Sequence, residues 1–326
     1  MYLGPLTFDE IYKAKPWGGR ALARIAGKRL PPNDPIGESW ELADHPHGAS
    51  VVNSGPLAGT SLRDLMRHHS RELMGRKASG RRFPLLIKTI DARDRLSVQV
   101  HPDDRLARAL KLTDTGKTEA WVILHVSKQG QLISGLKSAR VIPQLGALAQ
   151  SGNLAHHLKI MHPQKGDVLL CKAGAVHASG PGVVFLEIQQ NSDATFRLYD
   201  WGRMGLDGKP RSLHINEALR AIGKQALSVV RPRPRTLNGL PFPATRKTSC
   251  EKFVIDEWQV NRPAERAKSN RFEILHILNG HGRLNDGQWP GIRLRRGRTV
   301  LIPACTASYT IRPVAPITFI RAALPE

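Results

Sequence analysis

Alternating apolar and polar positions mark long stretches of this chain as β-structure. In residues 96–101, LSVQVH, positions 96, 98 and 100 are apolar and the three between them polar. That is the period of a half-buried strand. Successive strand side chains point to opposite faces, so Leu96, Val98 and Val100 are expected on one face and Ser97, Gln99 and His101 on the other. Pro102 has no N–H for the ladder and ends the strand, after which Asp103 or Asp104 can cap a short helix over 103–111. Residues 117–124, KTEAWVIL, read as a second strand with Lys117, Glu119 and Trp121 on one face. Residues 83–92, FPLLIKTIDA, read as a buried strand with Lys88 inside an apolar run, and 166–199 returns to β-structure.

The helical period is confined to short stretches. In residues 61–74, SLRDLMRHHSRELM, Leu62, Leu65, Met66 and Leu73 fall near one stripe, with Ser61 placed to cap. Residues 213–222 predict a helix, and 136–160 predict a mixed helical region interrupted by Pro143 and Gly146. The Pro/Arg/Gly-rich stretch 231–243 reads as a linker.

Beyond that stretch the pattern repeats. GDVLLCKAGAVH (166–177) aligns without gaps on GRTVLIPACTAS (297–308), and EAWVIL (119–124) on EILHIL (273–278), with NGHGRL (279–284) supplying a hairpin turn. Ser308 stands where the first copy has His177, and no Gln-x-His pair precedes Glu273. Two related β units are therefore expected, of which the first alone can hold a metal. His276 and His281 are assigned structural roles.

The length of 326 residues permits two domains. No apolar run approaches the ~18 residues of a membrane span, and the N-terminus lacks a signal peptide's apolar core. Cys171, Cys250 and Cys305 form neither a disulfide framework nor a metal motif, so a reducing, cytoplasmic setting is expected. Lys and Arg number 49 against 27 Asp and Glu, a formal charge of +22. Basic clusters at 75–82, 231–235 and 293–298 will attract polyanions at low salt. Aromatic content is only 6%, the aromatics do not interleave with these clusters, and no nucleic-acid-binding motif appears; no specific nucleic-acid partner is expected.

Gln99 and His101 side by side on one strand face are suited to gripping a cation. Taken alone, Glu119 reads as a surface residue beside Lys117, and His177 as a loop residue after the turn of GAVHA. Their spacing changes that reading. A His-bearing strand, a Glu about one hairpin later and a second His after a G-D-x-x-x-x-x-x-G turn is a cupin arrangement. Two His and a carboxylate suit Zn, Fe or Mn. Lys117, on the face of Glu119, is placed either to bind substrate or relay a proton or to serve as an ion-pair partner behind the ligands, and Glu187 is a candidate carboxylate behind the ligands. The general base is not identifiable from sequence. A non-haem Fe(II) oxygenase remains a competing reading, although a fourth ligand at Gln99 takes a position that O₂ would need. A non-catalytic sugar- or polyanion-binding cupin is another.

WGG at 17–19, GESWEL at 37–42, FPLLIKTIDA at 83–92, LSVQVHPDD at 96–104, GKTEAW at 116–121, GAVHA at 174–178 and EIQQNSDATFRLYDWGR at 187–203 together resemble the type I mannose-6-phosphate isomerases, in particular their short bacterial form. The resemblance is dense and ordered over the first two-thirds of the chain and loose beyond. It implies a mainly β fold of two cupin jelly-roll barrels with a small inserted helical region. Residues 1–230 would form the catalytic cupin, with helical insertions at about 57–78 and 136–160, and 244–326 a degenerate cupin without metal. It further implies one Zn²⁺ per chain on Gln99, His101, Glu119 and His177, and Arg197 as the active-site arginine. The expected activity is zinc-dependent interconversion of mannose 6-phosphate and fructose 6-phosphate through an enediol(ate), by a monomer. The resemblance does not account for the basic surplus.

Overall fold

The computed structural model describes residues 3–75, 82–267 and 269–325, so most of the basic string at 75–82 lies outside the described residues. The fold is mainly β, arranged as three large antiparallel sheets. The first has six strands in the order Ile11–Gly19, Ile36–Leu42, Leu85–Ala92, Val183–Gln190, Glu119–Val126 and Val168–Cys171. The second has five: Phe196–Tyr199, Val98–Val100, His177–Ser179, Leu132–Leu136 and Leu158–Met161. The third has eight, built around the long strands Glu273–Asn285 and Ser308–Ala323. Among the described residues the strand order of each sheet is open, so the expected closed barrels are not what the pairings form. No helix of the described residues is long and apolar enough to cross a membrane.

The six-stranded sheet is buried on both faces, which explains why its strands read as nearly continuous apolar runs. In Glu119–Val126, Trp121 and Ile123 join a core with Trp17, Leu169 and Phe185. Ala120 and Val122 face the other way, into a core shared with Phe253, Phe272 and Ile274 of the C-terminal sheet. The same alternation carries Lys88 and Glu187 to the face of Glu119. Helix Leu62–Met74 closes this outer core with Leu62, Leu65, Met66 and Leu73, and the Ser61 hydroxyl accepts from the Asp64 N–H at 3.1 Å.

Three details depart from the sequence reading. The strand expected over 96–101 is regular only at Val98–Val100. Val98 and Val100 pack with Leu136, Leu145 and Phe196, whereas Leu96 precedes the regular pleat and joins Trp17 and Trp121 instead. Asp103, rather than Asp104, caps helix Asp104–Ala109, accepting from the Leu106 N–H at 2.7 Å. Within 231–243, Arg235–Leu237 is a short strand paired with Ala244–Ser249.

Candidate metal and substrate site

Sheet register assembles the four expected ligands from both facing sheets. His177 opens its strand directly opposite Gln99, and Gln99 is also opposite Arg197 on its other side. Glu119 opens its strand opposite Cys171 and Gln189 in the other sheet. His101 follows strand Val98–Val100, where the Pro102 carbonyl accepts from the Lys117 N–H at 2.9 Å. Lys117, Glu119 and His101 are thereby locked together at the strand mouth.

Glu119 and His177 are fully buried, so neither is the solvated residue that each resembles in isolation. Ligand atoms of His101, Glu119 and His177 lie within 4.8 Å of one another, a group that could hold a metal ion. The Nδ1–H of His101 donates to the Ala194 carbonyl at 2.8 Å, and that of His177 to the Ala175 carbonyl at 3.0 Å. Each imidazole then turns an Nε2 lone pair toward the Glu119 carboxylate, at 3.3 and 3.1 Å respectively. Lone pairs facing a carboxylate repel unless a cation stands among them. Burial, then the charge of Lys117, pushes His101 down to about 3, so its imidazole stays neutral and available as a ligand. Burial alone would raise the Glu119 carboxyl, but the charge of Lys117 holds it well below the ordinary range. The Lys117 ammonium contacts Glu119 Oε2 and lies 3.1 Å from His101 Nε2, supplying the positive charge that this donor set attracts. Gln99 Nε2 lies 3.4 Å from His177 Nε2. A half-turn of that terminal amide presents Oε1 instead, the end that ligates a cation. The residues fit a divalent metal.

In front of this group opens a cavity of about 210 Å³ lined by Gln99, Lys117, Lys88, Glu187, Asp193 and Arg197, among others. Its three carboxylates are differentiated by their surroundings. Glu38 is held below the ordinary range because Lys88 and Lys15 overturn the effect of burial. Asp193 is likewise held low, chiefly by Lys88. Glu187 accepts from the Trp121 indole N–H at 2.9 Å, and burial together with the charge of Glu119 pushes it up to about 7. Lys88 lies 3.6 to 3.8 Å from all three carboxylates and stays charged. Arg197 donates from Nη1 to the Ser212 carbonyl at 2.8 Å, while its buried Nε has no hydrogen-bond partner among the described residues.

The sequence reading missed Lys15, Glu38, Asp193 and Arg211 as pocket residues. Glu38 and Asp193 lie inside strings already singled out, GESWEL and NSD, and alternation along 37–42 would have placed Glu38 with Trp40. Nothing local to Lys15 or Arg211 signals that they reach the same cavity.

Residues 6–120 match the family model described as phosphomannose isomerase type I, catalytic domain, and residues 244–321 match mannose-6-phosphate isomerase, cupin domain. The chain is similar to mannose-6-phosphate isomerase ManA of Bacillus subtilis, at 34% identity over 92% of this chain and 93% of that protein. It is 34% identical to the mannose-6-phosphate isomerase of Streptococcus mutans, over 94% of each chain. A crystal structure of mannose 6-phosphate isomerase from Bacillus subtilis superposes with a TM-score of 0.89 at 32% identity, covering 98% of this chain and 99% of that one.

Proposed function

This chain belongs to the type I mannose-6-phosphate isomerase family, and from that premise we propose that it interconverts mannose 6-phosphate and fructose 6-phosphate with one zinc ion. The observation that carries the reading is the buried His101–Glu119–His177 group behind Gln99 and Lys117, which line a polar, cation-rich cavity. Gln99 would complete the ligand set. The ion, when bound, supplies Lewis-acid polarisation of substrate oxygens and offsets developing negative charge.

The reaction moves a proton between two neighbouring carbons. One C–H bond breaks and its electrons form the C=C bond of an enediol(ate), while the carbonyl's π pair moves onto its oxygen, which takes up a proton. The neighbouring hydroxyl then loses its proton to become the new carbonyl as a proton is delivered to the adjacent carbon. Among the cavity's carboxylates, Glu38 and Asp193 are held too acidic to take the C–H proton. Glu187 lines the same cavity as Gln99 and Lys117, and burial raises its carboxyl, which suits it to taking and returning the proton. We assign it that role. Lys117 stays protonated beside Glu119 and presents an ammonium to substrate oxygens. Arg197 has a guanidinium N–H left to donate, which suits it to the substrate's anionic oxygens.

The domain reading is proposed with it: a catalytic cupin at 1–230, a connection at 231–243, and a second cupin at 244–326 without metal. We also read the enzyme as a cytoplasmic monomer. A coupled assay on mannose 6-phosphate, before and after chelation, tests the function. Turnover should vanish on chelation and return with zinc. Undiminished turnover in the chelated enzyme would reject the metal assignment, and absence of turnover in the zinc-loaded enzyme would reject the substrate.

A further inference from the structure

We propose that a second cavity, the cleft between helix Asp104–Ala109 and strand Ala244–Ser249, binds small anions carrying a chain of phosphates. This cleft encloses about 1090 Å³ and shares no lining residue with the cavity of Lys117 and Arg197. Its walls come from distant parts of the chain: the helix, the turn after Val168–Cys171, the segment 230–235 and residues 246–252.

Charge is what sets it apart. Arg105, Arg108, Lys172, Arg233 and Arg235 line it, all exposed and none with a side-chain hydrogen bond or ion pair among the described residues. Three further cations there are already paired: Arg246 with Asp256, Lys247 with Glu257 at 3.6 Å, and Lys252 with Asp104 at 2.7 Å. The acids in the lining offer the five unpaired cations little. Asp103 is held by its helix cap, and Asp104 accepts from the Gly116 N–H at 2.9 Å and Gln190 Nε2 at 3.1 Å as well as from Lys252. Glu251 remains. Eight cations line it against three acids, and with Asp256 and Glu257 behind Arg246 and Lys247 counted, a surplus of three remains around one concavity. Cations gathered on the walls of a cleft concentrate the field there and raise local anion concentration.

The shape and lining narrow the ligand. The volume exceeds what a single phosphate or hexose phosphate fills. No aromatic side chain lines the cleft, so a nucleobase finds no stacking surface. Unpaired guanidinium groups dominate, and their fork geometry matches phosphate oxygens two at a time. The recognised group is therefore the phosphate chain itself, whether supplied by inorganic polyphosphate or by a nucleoside triphosphate. Such a site also gives part of the chain's large basic surplus a task that the isomerase reaction does not.

Isothermal titration of the full-length protein with sodium tripolyphosphate tests this, with ATP as a parallel arm. Tripolyphosphate should bind the wild-type chain with affinity that falls as salt is raised. The triple variant R108A/R233A/R235A should bind about tenfold more weakly or worse, while R197A/R211A in the other cavity binds as wild type. All five side chains are partly or fully exposed, so far-UV circular dichroism of both variants should match the wild type. ATP binding no tighter than tripolyphosphate supports recognition of the phosphate chain, and a preference for ATP above tenfold overturns it. The proposal also fails if the cleft variant binds within twofold of wild type, if the loss appears in R197A/R211A instead, or if a homopolymeric RNA binds while tripolyphosphate does not.

Discussion

Two glutamates occupy matching positions in the two halves of this molecule, and their partners differ. Glu119 lies opposite Cys171 in its sheet, and Glu273 lies opposite Ile302, which is the residue aligned with Cys171 in the internal repeat. His177 opens one strand and Ser308 the corresponding one. Around Glu119 stand two imidazoles whose Nε2 lone pairs face it and one lysine. Around Glu273 the chain provides its own cation. Arg321 Nε donates to Glu273 at 2.7 Å, Arg266 lies 3.2 Å away, and the Tyr309 hydroxyl donates at 2.8 Å. Arg321 also reaches Asp256 at 3.0 Å. A buried carboxylate must have a positive or donating partner. In the proposed reading one half would meet that demand with Lys117 and an exchangeable ion and do chemistry with it; the other closes it with guanidinium groups.

The sharpest way to break this comparison is to exchange the two strand-opening residues for alanine in turn. His177→Ala should lower kcat by about four orders of magnitude, since Lewis-acid stabilisation contributes several kcal/mol and each 1.36 kcal/mol is tenfold. Ser308→Ala should leave kcat unchanged, and comparable activity in both variants would show that the halves are not divided in this way. In the closed half, Arg321→Met leaves Glu273 with Arg266 and Tyr309 and Asp256 with Arg246, and should cost about 1.5–3 kcal/mol in urea unfolding, with catalysis per folded molecule intact. The double variant Arg321→Met/Glu273→Leu should recover part of that loss; no recovery would mean that Arg321 acts through packing alone. Arg197→Ala should retain its metal yet lose about a hundredfold in kcat, as removal of one donor to developing charge does elsewhere. Unchanged kcat would remove Arg197 from the reaction.

The smallest expected effect concerns pH. His276 is buried against Thr299, and burial, then Lys28, pushes it down to about 3. The unfolded chain takes up that proton below the ordinary histidine value of about 6.5, while the folded chain refuses it until about 3. Its contribution is therefore intact above 6.5 and is lost as pH falls, by about 2 kcal/mol at pH 5. His276→Gln should flatten stability between pH 7 and 5 by about that amount. An identical pH slope in the variant would assign acid sensitivity to other groups.

What could be read from the sequence followed periodicity. Gln99 and His101 come from a two-residue parity, the helix stripe and Ser61 cap from a 3.6-residue one, and the matching places of Glu119 and Glu273 from a gapless internal repeat. Periodicity failed where a strand was not yet regular, which is why Leu96 faces the side opposite to Val98. It also could not find Lys15, Glu38, Asp193 and Arg211 together, because their meeting depends on how sheets stack rather than on spacing along the chain. The separation of Glu187 from the other acids is invisible for the same reason: it arises from burial that only the folded chain creates and from the nearby charge of Glu119, while Lys88 holds Glu38 and Asp193 low.

Metal content per chain after zinc loading and dialysis, measured by mass spectrometry on the wild type, Glu119→Gln and Glu273→Gln, tests the division between the halves most directly. The wild type and Glu273→Gln should each retain one equivalent, and Glu119→Gln almost none. A full equivalent in Glu119→Gln, or its loss from folded Glu273→Gln, would contradict the assignment of the ion to the first half alone.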